Sequence, residues 1–224
     1  MNDFFNRQAD QHNVRLNKVQ QKAVLQTQGP LLLLACPGSG KTTTLIMRIG
    51  YLIEEIGIAP NRIKAITFSR ASAEDMKSRY EQFFPSLGQV DFSTIHSLAF
   101  SVASRYLKSQ GIAFTLIEGT TNSNIPTKSQ ILKDLYKQAL KEDCSDDQLQ
   151  EMMHFISFIK NYMVPQSDWG QATLPNKEAV KITIQYEAIK SQNPAHIWLD
   201  FDDLLVLAYE ALSNDKNIHA VFSN

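Results

Sequence analysis

The chain has 224 residues, 43% of them hydrophobic and 20% charged, a make-up that excludes a disordered polymer and fits a folded protein with one or two cores. Lys and Arg number 22 against 23 Asp and Glu, so no global basic excess announces nucleic acid and no acidic block announces a solvating tail. Two cysteines without metal-ligand or disulfide spacing, no apolar run near the roughly 20 residues of a membrane span, and no signal-peptide order at the N-terminus predict a soluble cytoplasmic protein.

In chain order, residues 31–36 are a continuous apolar run, the pattern of a strand buried on both faces. From Lys41 onward apolar residues recur at Leu45, Ile49, Leu52 and Ile56, widened by Ile46 and Ile53, which predicts a helix ending near Gly57. Residues 62–68 read as a second strand. Ala73, Met76, Tyr80 and Phe83 keep helical spacing up to Pro85, and residues 90–95 supply a third short strand before a helix through Leu107. Strand, helix, strand, helix implies a parallel sheet. Basic side chains outnumber acidic ones over residues 1–105, the reverse holds beyond, and an anion-binding first half is compatible with that split.

The second half changes character. After a Gly, Thr and Asn-rich stretch at 119–124 the periodic segments are all helical, carried by Ile131, Leu135 and Ala139, then Leu149, Met152, Ile156 and Ile159, then Ala179, Ile182, Tyr186 and Ile189. No convincing strand interrupts them. Ser145 suits a helix start, and Pro165, Pro175 and Pro194 suit breaks.

The strongest motif is Ala35-Cys36-Pro37-Gly38-Ser39-Gly40-Lys41-Thr42, between the first predicted strand and its helix. Gly38 and Gly40 let the backbone bend so that amides and the helix N-terminus point at phosphate oxygens. Lys41 is placed to reach the outer phosphates, and the Thr42 hydroxyl to ligate a magnesium ion, which prefers hard oxygen donors. These residues predict a P-loop that binds a nucleoside triphosphate, with ATP the expected nucleotide and Mg2+ its companion. The acids of Leu199-Asp200-Phe201-Asp202-Asp203-Leu204-Leu205 mimic a strand-borne carboxylate pair. Because Leu204, Ala208 and Ala211 continue helically, they read instead as a helix start, where the dipole favours them.

With these segments in their order and spacing, the chain resembles UvrD/Rep-type superfamily 1 DNA helicases over nearly its whole length. Leu16-Asn17-Lys18-Val19-Gln20-Gln21-Lys22-Ala23-Val24 looks like that family's Q motif, and the resemblance gives Gln20 the reading of adenine, for which a side-chain amide can both donate and accept. Residues 65–76 are similar to motif Ia, and Ser93-Thr94-Ile95-His96-Ser97 to the next DNA-contacting element. By resemblance, Phe68, Ser69, Arg70, Thr94 and His96 would contact DNA from the carboxyl edge of the sheet, on one surface with the P-loop. Thr43 stands where the family commonly carries an arginine that packs the adenine.

The fold class so implied is α/β, a RecA-like P-loop NTPase sheet with an inserted all-helical subdomain. Residues 1–110 and 196–224 would form an incomplete first motor domain and 111–195 the insertion. The resemblance further implies ATP hydrolysis coupled to movement on single-stranded DNA and separation of duplex DNA. The chain reads as an N-terminal fragment that stops before the family's Walker B strand, so it is expected to bind nucleotide without hydrolysing it. Lys41 and Thr42 are the catalytic candidates; Gln20, Ala35, Pro37, Gly38, Ser39, Gly40 and Thr43 complete the nucleotide-binding set. A small-molecule kinase and a nucleotide-gated interaction module are the alternatives, but a kinase leaves the Gln20, Phe68 and His96 segments without a role.

Overall fold

Helix α1 (Asp3–His12), which the periodicity did not announce, exists because Phe4 and Phe5 bury one face while Arg7 reaches Asp3, Glu54 and Glu55 from the other. The computed structural model describes residues 3–119, 125–171 and 177–223. They fall into two compact units, Met1–Ile95 and His96–Asn224.

In the first unit, α2 (Lys18–Leu25) starts on a reciprocal capping box. Asn17 accepts from the Gln20 amide while the Gln20 side chain accepts from the Asn17 amide, satisfying two helix-end donors at once. α3 (Lys41–Glu54) buries Ile46 and Ile49 of the predicted stripe together with Met47, while Leu45 and Ile56 of that stripe are exposed. Then come β1 (Lys64–Thr67), α4 (Arg70–Phe83) and β2 (Asp91–Thr94). β1 and β2 pair in parallel, in register from Lys64↔Asp91 to Thr67↔Thr94, as the alternation of strands and helices predicts. Phe4, Val24, Ile46, Met47 and Tyr80 are at the centre of the core, with Phe4 edge-on to Tyr51 at 5.4 Å. Burying each large apolar side chain contributes about 1.5–3 kcal/mol.

Residues 31–36 depart from expectation. They form no strand, and Leu32 and Leu34 are 79% and 82% exposed. A strand exists only through hydrogen-bonded neighbours, and among the described residues none pairs with this run. Its apolar composition records a preference for burial but not the partner that would provide it.

The second unit opens with α5 (Ile95–Ser109) and β3 (Ala113–Leu116) and continues with α6 (Lys128–Leu140), α7 (Asp146–Asn161) and α8 (Lys177–Lys190). β4 (His196–Leu199), α9 (Phe201–Asn214) and α10 (Lys216–Ser223) complete it. Thr127, Ser145 and Asp200 start α6, α7 and α9 as capping boxes. Contrary to the all-helical reading, β4 pairs in parallel with β3 from Ala113↔His196 to Leu116↔Leu199. Four residues are too few to show a period, and the partners lie about 80 positions apart in the chain, so nothing local marks them. Pro165 sits in the turn after α7 and Pro194 between α8 and β4. Pro175 lies outside the described residues, as does most of the 119–124 stretch.

This unit holds a small cluster of Phe155, Ile159 and Trp169 beside two larger apolar cores. One gathers Ile131, Leu132, Leu149, Ile156, Ile182 and Tyr186 from α6, α7 and α8; the other gathers Val102, Leu107, Leu199, Leu204 and Ala208 from α5, β4 and α9. Among the described residues no helix is long and apolar enough to cross a membrane.

Candidate nucleotide-binding site

The loop that enters α3 is built by its own short-range hydrogen bonds. Ser39 turns back on Cys36, its amide donating to the Cys36 carbonyl at 3.2 Å and its Oγ at 2.6 Å. Gly38 and Gly40 take φ values of 77° and 83°, the left-handed region where a side chain is strained. A Cβ on Gly38 would meet open space, so backbone conformation selects glycine there. A Cβ on Gly40 would also press to 3.1 Å from Gln20 Nε2. Gly40 is the N-cap of α3, and no side chain caps the helix, so its first amides face outward with the positive end of the dipole.

Lys41 folds back over this loop, its Nζ donating to the carbonyls of Ala35 at 2.7 Å and Cys36 at 2.9 Å. Residues 35–39, which include Pro37, are exposed, and Thr42 and Thr43 are half-buried in the first turn of α3. Free helix amides, an ammonium held above them by two neutral carbonyls and a hydroxyl one residue on are the donor set a polyphosphate fits. A phosphate oxygen offers Nζ a charge-assisted bond that carbonyls do not.

Gln20 is tied to the same loop. Its Nε2 donates to the Ser39 carbonyl at 3.0 Å while its Oε1 accepts from the Asn17 amide at 2.9 Å. One amide hydrogen and one lone pair remain for a ligand, so Gln20 can brace the loop and meet an adenine edge together. The bracing was not legible in the residues, because it joins positions 19 apart through a backbone carbonyl.

The DNA candidates are placed unevenly. Phe68 follows β1 and is 94% exposed. Ser69 is the N-cap of α4, accepting from the Ser72 amide at 3.1 Å, and Arg70 begins that helix, exposed. Thr94 ends β2 opposite Thr67, so it shares the carboxyl edge with the Phe68 turn, but its side chain is buried. His96 belongs to the second unit, where its ring stands edge-on to Phe201 at 5.6 Å. Phe201 was read only as part of a helix start; its contact with His96 makes it part of that candidate's surroundings.

Glu187, Asp200 and Asp203 are the described acids whose oxygens approach closely enough to hold a metal ion. They lie in the second unit and are engaged by Lys160 and Lys190. The helix-start reading of Asp200 holds, since Asp200 is the N-cap of α9.

Comparison with known proteins bears on the whole chain. The model of the UvrD/REP helicase N-terminal domain family matches residues 16–224. The chain is 34% identical over 197 residues to the ATP-dependent DNA helicase PcrA of Staphylococcus epidermidis, an alignment covering 85% of this chain and 26% of that protein. It is 32% identical over 215 residues to the ATP-dependent DNA helicase PcrA of Staphylococcus aureus, covering 93% of this chain and 28% of the relative. The chain thus spans about a quarter of the length of the curated relatives it matches.

Proposed function

Because this chain belongs to the UvrD/REP helicase N-terminal domain family, we propose that it is the ATP-binding part of a DNA helicase that moves on single-stranded DNA and separates duplex DNA in the cytoplasm. The observation that carries this reading is the Gly38–Gly40 bend, with Lys41 Nζ poised on two loop carbonyls at the uncapped start of α3. The family match sets aside the small-molecule kinase.

In this reading Lys41 leaves the Ala35 and Cys36 carbonyls for the outer phosphates, and the amides at the start of α3 hold the inner ones. Gln20 keeps the Ser39 carbonyl in place while its spare amide hydrogen and lone pair meet the base. Thr42 is the residue that would hold Mg2+, an ion that neutralises phosphate charge when bound. Phe68 offers a base a stacking face, and Ser69 and Arg70 offer its backbone a hydroxyl and a charge, contacts that carry almost no sequence information. Residues 1–110 and 196–224 would form the motor domain and 111–195 its insertion, helical apart from β3. Thr94 has a smaller part than its motif implies, since a buried hydroxyl shapes the edge rather than meeting a ligand.

ATP turnover by the 224-residue chain, measured beside binding of a fluorescent ATP analogue with magnesium, tests this division of labour. Binding without hydrolysis above the rate of Lys41→Ala is expected, because the carboxylates clustered among the described residues are engaged by lysines. A steady-state rate abolished by Lys41→Ala would show that residues already present orient the attacking water.

A further inference from the structure

Where the two larger apolar cores of the second unit meet, the chain places charge. Lys128 at the start of α6 has its Nζ 2.8 Å from Asp202 and 3.3 Å from Asp200. Lys160 of α7 pairs with Asp203, with Glu187 at 2.9 Å and with Asp200 at 3.6 Å. Lys190 of α8 lies 2.6 Å from Asp203, 3.0 Å from Glu187 and 3.4 Å from Asp200. Ser157 donates to Asp202 at 2.9 Å, and the Tyr186 hydroxyl to Asp200 at 2.8 Å. Three helices of the bundle therefore each send an ammonium to one point, the N-terminus of α9. That point is dry, since the Asp200 side chain is 0% exposed and those of Lys128 and Lys190 4%.

Such a cluster is a poor source of net stability, because desolvation cancels most of the attraction, but it is exacting about geometry. Apolar burial is non-directional, whereas buried ammonium and carboxylate groups must keep their partners. The packing beside the cluster is also open. A cavity of about 380 Å3, open to solvent, lies between α8, β4 and the start of α9, walled by Glu187, Lys190, Asp203, Trp198, Ile184 and Gln166.

We propose that this ionic seam is a latch that holds the α6–α8 bundle in one orientation on the α5, β3, β4 and α9 body, and that breaking it frees the bundle to turn while both cores stay folded. The cavity supplies room for α8 to move. The latch is separate from the nucleotide site and does not depend on the function proposed for it.

The test places spin labels at Gln138→Cys on α6 and Glu210→Cys on α9, both exposed, with Cys36 and Cys144 replaced by Ser, and measures the distance distribution between them. In this background the distribution should be narrow. In Lys160→Met with Asp203→Asn, which removes one charge of each sign and leaves an amide oxygen for the Asp200 N–H, its width should at least double while thermal unfolding stays cooperative. Lys160→Arg should keep it narrow, an effect a general loosening of the fold would not show. If the double variant does not fold, Asp202→Asn, which weakens the tie of α9 to Lys128 while keeping an acceptor for Ser157, gives the same reading with less broadening. An unchanged width in whichever of the two latch-breaking variants folds would overturn the proposal.

Discussion

At the scale of single residues, the candidate site is carried by a few neighbours in the chain. Two glycines, a lysine and a threonine within five positions carry their geometry with them, and the left-handed Gly38 and Gly40 appear where the spacing requires. Phe68 stands at a strand end, where an aromatic residue can serve either the core or a stacking platform. Its exposure decides the packing half of that choice. Phe68→Ala should therefore leave the melting temperature nearly unchanged, where a buried Phe would lose about 3–5 kcal/mol. If the ring stacks on a base, the same variant should weaken binding of a labelled single-stranded oligonucleotide by about 1–3 kcal/mol. Anisotropy and melting on this one protein measure both, and unaltered oligonucleotide affinity would remove Phe68 from the DNA surface. Gln20 makes a second residue-scale case. Gln20→Ala cuts the brace to the Ser39 carbonyl as well as any base contact, so it should weaken ATP and inorganic triphosphate alike. A loss confined to ATP would mean that the amide serves the base alone.

At the scale of elements, most helices and the β1–β2 pair were readable, whereas β3 and β4 were not. A helix of 13 to 16 residues shows its period several times over, and Ser145 and Thr127 mark starts by a local hydrogen bond. β3 and β4 have four residues each and find one another across the helical bundle. The ionic seam was equally hidden: Lys128, Lys160 and Lys190 look in sequence like solvated helix faces, and only the fold brings them to Asp200. That seam has a pH signature. Burial alone would lower Lys128 and Lys160, but the surrounding carboxylates, Asp200 for the first and Asp203 for the second foremost, outweigh it and hold both above the ordinary lysine value. Burial, with Asp200 beside it, likewise raises the Tyr186 hydroxyl. Groups raised in the folded state stabilise it fully below their unfolded values, about 10 for Tyr and 10.4 for Lys, and lose that contribution as pH rises toward the folded ones. Melting should accordingly be steady from pH 7 to about 9 and fall above about 10. In Tyr186→Phe the alkaline fall should be shallower, and identical profiles for the two proteins would show that the tyrosine contributes nothing to it.

At the scale of the molecule, the family was legible because a series of motifs in fixed order is far more specific than any one of them, and the match over residues 16–224 agrees with it. The sheet expected to hold the P-loop was not assembled by the same reasoning. Residues 31–36 have the composition of a central strand, but composition does not supply the neighbours that make one, and Leu32 and Leu34 remain open to solvent. What the account rests on is thus the loop itself. The most direct measurement is titration of a fluorescent ATP analogue, with magnesium, into the chain and into Lys41→Ala. Loss of a charged phosphate contact should weaken binding by about 1.5–3 kcal/mol, a drop of ten-fold or more. Saturable binding to the parent chain with that loss is the predicted result, and equal affinity of the two proteins, or no binding to either, would contradict it.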